Sequence, residues 1–180
     1  MTLNRLKKIW DNGEYALNGW LSINNSFIAE IMSRQNYDTL TIDMQHGLID
    51  YSDLIGMLQG ITGSNVTPIV RVPWLDPGYI MKALDAGAQG IISPMINNKK
   101  EAEEFVSYMR YPPLGNRSFG PTRQNIVQGS DYYKTANENV LCIAMIETAE
   151  AMKNLEEIIS TDGLDAVSYT HLTLPTTRLV

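Results

Sequence analysis

Short runs of β-branched and apolar residues recur along the chain, and a stretch with helical spacing follows each one. Residues 16–23 read as a first strand, followed by a helix over 26–34 (SFIAEIMSR) with Ser26 as its N-cap. Residues 37–44 (YDTLTIDM) make a second strand, with a helix over 51–61 behind it. The third strand is 66–72 (VTPIVRV), and Pro77 begins a helix that runs to Ala86 and stops at Gly87. A fourth strand, 90–96, precedes a helix over 99–109 in which Ala102, Phe105, Val106 and Met109 share a face. The fifth, 140–146 (VLCIAMI), leads to a helix over 149–159, and a sixth starts at 165–167.

Strands that are apolar on both faces and alternate with helices describe a parallel sheet covered by helices. A doubly wound sheet and a (β/α)8 barrel both match this rhythm. No Gly-x-Gly-x-x-Gly follows the first strand, which counts against dinucleotide binding. The polar residues gather at the C-terminal ends of strands: Asp43 to His46, Arg71 and Glu147. Barrel enzymes keep their chemistry there. The expected fold is therefore an α/β TIM barrel of which about five and a half βα units are present. Residues 111–129 (YPPLGNRSFGPTRQNIVQG) form a long connection rich in Gly, Pro and Arg, and are expected to make an ordered lid.

Composition narrows the class. The chain has 180 residues, enough for one domain with a real core, and 44% hydrophobic and 19% charged residues are ordinary for a soluble globular protein. With 14 Lys+Arg against 20 Asp+Glu, the net charge of −6 argues against nucleic acid and against a polybasic membrane anchor. No apolar run is long enough to span a bilayer, and no apolar segment follows the basic residues of MTLNRLKKIW as a signal peptide requires. A single cysteine, Cys142, excludes internal disulfides and fits a reducing cytoplasm; mid-strand, it belongs to the core.

Four residues could carry chemistry. His46, at a strand end, is placed to act as an acid or base. Arg71 sits inside an apolar strand, where a guanidinium needs an anion, which points to a substrate carboxylate or a developing oxyanion. Glu147 follows the fifth strand and is a candidate metal ligand, with N-capping by Thr148 the structural explanation for its neighbour. Asp85, late in a helix, is either a solvated residue or a carboxylate that orients an imidazole. No lysine lies within a strand, so a metal-assisted route is preferred over a Schiff base.

Six motifs follow one another along the chain: Asp43-Met44-Gln45-His46-Gly47, Val70-Arg71-Val72-Pro73-Trp74, Leu84-Asp85-Ala86-Gly87-Ala88-Gln89-Gly90, Pro94-Met95, Arg110-Tyr111-Pro112-Pro113-Leu114-Gly115 and Met145-Ile146-Glu147-Thr148. In this order they resemble the HpcH/HpaI aldolase family, which includes 4-hydroxy-2-oxoheptanedioate and 2-keto-3-deoxyglucarate aldolases. The resemblance implies a barrel of the phosphoenolpyruvate/pyruvate type and a class II aldolase that reversibly cleaves 4-hydroxy-2-oxo acids into pyruvate and an aldehyde. It implies His46 as the catalytic base, Asp85 as its partner, and Arg71 as both substrate-binding and enolate-stabilising. It also implies Glu147 as one of two carboxylates holding Mg2+, Mn2+ or Co2+, and a homo-oligomer, a hexamer at full length. The Arg117–Arg123 loop would help to select an acidic aldehyde. A citryl-type lyase on the same fold and an inactive barrel fragment are the alternatives.

The likeness stops at residue 167. The family's second metal carboxylate falls at position 173, which is Thr here, and 168–180 (SYTHLTLPTTRLV) contains no carboxylate. This reading divides the chain into a partial aldolase barrel domain, 1–167, and a non-native, adapter-like tail, 168–180. His171 and Arg178 are then not site residues, and the chain would lack half of its metal site.

Overall fold

The computed structural model describes residues 4–169. A short helix α1 (Arg5–Asp11) leads into β1 (Asn18–Leu21), α2 (Ser26–Ser33), β2 (Thr39–Asp43) and α3 (Tyr51–Ile61). Then come β3 (Thr67–Arg71), α4 (Pro77–Ala86), β4 (Gly90–Ser93) and α5 (Lys99–Met109). After α6 (Thr122–Gln128) and α7 (Tyr132–Asn139) the chain resumes with β5 (Leu141–Met145), α8 (Ala149–Lys153), α9 (Leu155–Ile159) and β6 (Ala166–Ser168).

The strands pair in parallel in the order β1-β2-β3-β4-β5-β6. A doubly wound sheet reverses its strand order at a switch point. Here each strand lies beside the one before it, so the sheet is six strands of a barrel wall. One face carries Leu40, Ile42, Val70, Ile91, Cys142 and Ala144 against the helices, where they meet Leu54, Leu58, Ile80, Leu84 and Phe105. The alternate residues Ile69, Ile92, Leu141, Ile143 and Met145 cluster on the inner face, with Leu6 of α1 among them. Burying both faces is why the strands read as nearly continuous apolar runs. An open concavity of about 350 Å³ lies along this inner face, bounded in part by Asn18, Trp20, Thr41, Ile69 and Ile143.

The helices over 51–61, 77–86 and 99–109 have the expected bounds. Asp50 closes a reciprocal capping box with Asp53, and Asp76 caps α4 with Pro77 in the first turn. Three expectations change. The α2 cap is Asn25, whose side chain accepts from the Ile28 N–H at 2.8 Å, rather than Ser26. The helix over 149–159 is two helices that meet at Asn154, whose side-chain amide donates to the Asn97 carbonyl at 2.8 Å. Residues 111–129 form no lid over the strand tips. Helix α5 returns the chain to the N-terminal end of the sheet, and the connection folds there into a tight loop and α6. Among the described residues, no helix is long and apolar enough to cross a membrane.

Candidate active site

The C-terminal ends of β2, β3 and β5 bring together Asp43, Arg71 and Met145, with His46 and Glu147 in the turns that follow. Arg71 and Asp43 face each other as a fork: Nε donates to Oδ1 at 2.8 Å and a terminal nitrogen donates to Oδ2 at 2.5 Å. Parallel register sets this geometry, because Asp43 and Arg71 are direct partners in the β2–β3 ladder. Both are buried, at 2% and 8% exposure. Asp43 also accepts from the backbone N–H groups of Gln45 and His46, at 3.0 and 3.2 Å, and from the Trp20 indole at 3.3 Å. Burial works against its ionisation, but these donors, Arg71 foremost, hold its carboxyl down at about 2.

This answers why a guanidinium sits in an apolar strand. Asp43 supplies an anion for that burial from within the fold. Arg71 nevertheless has more donors than Asp43 uses. Its second terminal nitrogen points to the Met145 sulfur at 3.9 Å, and its guanidinium lies 5.0 Å from the Trp20 ring centroid. These donors remain for an oxyanion at the strand tips. Asp43, the residue that fixes Arg71, stands in the expected motif without an assigned role. Its one signal in the sequence was a carboxylate at the end of an apolar strand; the pairing itself comes from the β2–β3 register.

His46 is exposed, in a turn fastened to Asp43 by two N–H donors. Gly47 lets that turn fold back: a Cβ there would overlap the Asp43 carbonyl. Glu147 receives the backbone N–H of Met95 on Oε1 at 2.8 Å, and among the described residues its Oε2 accepts no hydrogen bond. Cys142 is wholly buried, and burial pushes its thiol well above the usual range.

Asp85 lies elsewhere. It sits near the C-terminal end of α4, just before β4, and so at the end of the sheet opposite His46. Its Oδ1 accepts from Arg117 at 2.7 Å. Arg117 also donates to the Tyr132 hydroxyl at 3.1 Å and stacks on Tyr111 at 4.4 Å. Burial raises the Asp85 carboxyl above its ordinary range, against the opposing pull of Arg117. The other arginine of that loop, Arg123, donates to the carbonyls of Ala86 and Leu58 and to the Thr62 hydroxyl, at 2.5, 3.2 and 2.6 Å. Both arginines thus hold the fold together at this end, away from the strand tips of their own copy.

Among the described residues, no three His, Cys, Asp or Glu side chains cluster as a metal site. Asp43 is saturated by its donors. Among the described residues Glu147 keeps one oxygen without a hydrogen bond, which suits a cation that takes one or two carboxylates and completes its shell with substrate and water. Thr173, where a second carboxylate was expected, and residues 170–180 as a whole lie outside the described residues. Ser168 ends β6, and its carbonyl accepts from the Ile146 N–H at 2.8 Å.

Residues 17–172 match the family model described as HpcH/HpaI aldolase/citrate lyase. A hydroxypyruvate/pyruvate aldolase of Rhizorhabdus wittichii is 46% identical over 165 residues, covering 92% of this chain and 66% of its own length. A 4-hydroxy-2-oxo-heptane-1,7-dioate aldolase of Escherichia coli is 36% identical, over 91% of this chain and 64% of the relative. The chain therefore spans just under two thirds of these curated relatives. The crystal structure of a HpcH/HpaI aldolase/citrate lyase family protein from Burkholderia cenocepacia superposes with a TM-score of 0.83 at 32% identity, over 92% of this chain and 68% of that one.

Proposed function

The chain belongs to the HpcH/HpaI aldolase/citrate lyase family, and from that premise we propose that it is built for reversible cleavage of a 4-hydroxy-2-oxo acid into pyruvate and an aldehyde. The observation that carries this reading is the Asp43–Arg71 fork at the strand tips, with Glu147 in the turn after β5. A cation donor fixed in position before the reaction is what a developing enolate oxygen requires.

In the proposed reaction His46 takes the proton of the 4-hydroxyl group. The bond between C3 and C4 breaks, the aldehyde departs, and the electron pair moves onto the 2-oxygen. The N–H groups of Arg71 that Asp43 leaves free stabilise the resulting charge, and reprotonation at C3 gives pyruvate. Glu147 would hold a divalent ion, Mg2+, Mn2+ or Co2+, which when bound supplies Lewis acidity at the 2-oxo acid. The substrates are small molecules, and the cytoplasm is the compartment that fits the composition.

His46 and Asp85 stand at opposite ends of one sheet, so the pairing that the family resemblance implies would run between two copies of the chain. Exposed apolar side chains surround both ends: Leu48 and Trp74 beyond the strand tips, Leu114, Phe119 and Ile126 on the Asp85 side. A contact between copies would cover them. The division of the chain into a barrel part, 1–167, and a foreign tail, 168–180, belongs to the same proposal.

The test is release of pyruvate from 4-hydroxy-2-oxo acids, with Mn2+, by a form of the chain continued beyond residue 167 into a full barrel with its second metal carboxylate, followed by coupled reduction of the pyruvate. We expect turnover that falls at least 100-fold in Arg71→Ala, the order of loss seen when an oxyanion donor is removed. Equal, residual rates in the wild type and in this variant would overturn the reading.

A further inference from the structure

Besides the bond from the Met95 N–H to Glu147, the turn after β4 is tied to the turn and helix after β5 through Asn97. Asn97 donates from Nδ2 to the Met95 carbonyl at 2.8 Å, and its Oδ1 accepts from the Thr148 hydroxyl at 2.5 Å. Its backbone N–H donates to Glu101 Oε2 at 2.7 Å, and its carbonyl accepts from Asn154 at 2.8 Å. Thr148 is fixed in turn as the α8 cap, accepting from the Ala151 N–H at 3.0 Å. Met95, in the middle of this array, has φ +58, and it is the one non-glycine residue with positive φ among the described residues.

A long side chain rarely adopts the left-handed region, so something outside the residue must hold Met95 there. The consequence of that conformation is visible: the Met95 N–H reaches Glu147 Oε1 at 2.8 Å and leaves Oε2 free. We propose that Asn97 is a positioning residue for Glu147. It clamps the Met95 carbonyl on one side and Thr148, the neighbour of Glu147, on the other. The two turns thereby present the carboxylate in one orientation.

Carboxylates that ligate metals are commonly oriented by hydrogen bonds behind them, and loss of such a partner weakens metal binding by about 10- to 100-fold. The inference rests on the reading of Glu147 as a cation ligand, and the test separates the two. Mn2+ binding to the full 180-residue chain is measured by electron paramagnetic resonance in the presence of pyruvate, for the wild type, Asn97→Ala, Asn97→Asp and Glu147→Gln. Hydrogen exchange at the Met95 amide is followed alongside by NMR. Asn97→Asp keeps the acceptor for Thr148 and loses the donor to Met95, so it serves if Asn97→Ala fails to fold.

We expect Asn97→Ala and Asn97→Asp to exchange the Met95 amide at least 10-fold faster and to weaken Mn2+ binding about 10-fold or more, with melting temperatures close to wild type. Glu147→Gln abolishes binding. Unchanged Met95 exchange in both Asn97 variants overturns the inference, as does unchanged Mn2+ affinity while Glu147→Gln loses it. If Glu147→Gln binds like the wild type, or if the wild type binds no Mn2+, the ligand reading itself fails and the inference falls with it.

Discussion

At the scale of single residues, the site depends on one buried pair. The Asp43 carboxyl is held at about 2 in the folded protein, below its ordinary value of 3.8. A depressed carboxylate contributes stability above its unfolded pKa and loses it as pH falls toward the folded value. The Asp43 contribution is therefore full at neutral pH and drains away between about pH 4 and pH 2. From the size of the shift it amounts to about 2 kcal/mol. Asp43→Asn should unfold in denaturant at least that much more easily at pH 7, with the gap to wild type closing as pH falls to 2. A constant gap across that range would assign the stabilisation to another group. Gly47 makes a second prediction of this kind. Gly47→Ala forces the turn that carries His46 away from the Asp43 carbonyl. The expected result is a loss of turnover well beyond the loss of melting temperature.

At the scale of elements, the segment after α5 shows how local reading and tertiary placement part company. Its glycines, prolines and arginines predict a lid with arginines for a substrate. In the structure Arg117 is buried against Asp85 and two tyrosines, while Arg123 supplies the missing donors at the C-terminal ends of α3 and α4. Cations at helix C-termini offset the unpaired carbonyls and the helix dipole. Arg123→Ala should lower stability by about 1–2 kcal/mol in thermal melts and leave KM unchanged. A change in KM without loss of stability would restore the substrate-contact reading. The bounds of α3, α4 and α5 were legible from periodicity and from Pro77 and Gly87, and the structure adds their side-chain caps at Asp50, Asp76 and Asn98. They were not legible at Asn154, where a hydrogen bond to a residue 57 positions away divides the helix.

At the scale of the whole molecule, the strand order decides the architecture and the position of Asp85. A wall of sequentially paired strands has all βα turns at one end and all αβ turns at the other. His46 and Glu147 follow strands, and Asp85 precedes one, so a single copy cannot bring His46 and Asp85 together. Proteins carrying His46→Asn and Asp85→Asn should each be inactive, and mixing them should restore activity through sites built from the two intact halves. Asn at position 85 keeps an oxygen for the Arg117 hydrogen bond, so this variant retains its fold. A mixture as inactive as its components would remove Asp85 from the site.

By itself the sequence determined the alternation of strands and helices, the parallel α/β class, and the residues at the strand tips. These follow from burial on both sheet faces, from turn chemistry, and from motifs that are contiguous in the chain. The barrel, which those motifs favoured over a doubly wound sheet, was decided by the strand order. Asp43 and Arg71 were visible as polar residues at strand ends, but their union was not, because it depends on the β2–β3 register and joins positions 28 apart. The same holds for the clamp of Asn97 on Thr148, for the structural role of Arg117 against Asp85, and for the separation of His46 and Asp85. Hydrophobic period and capping act within a few residues and can be read along the chain. Ion pairs and loop-to-loop hydrogen bonds exist only once packing has brought distant residues together, and only the tertiary structure decided those.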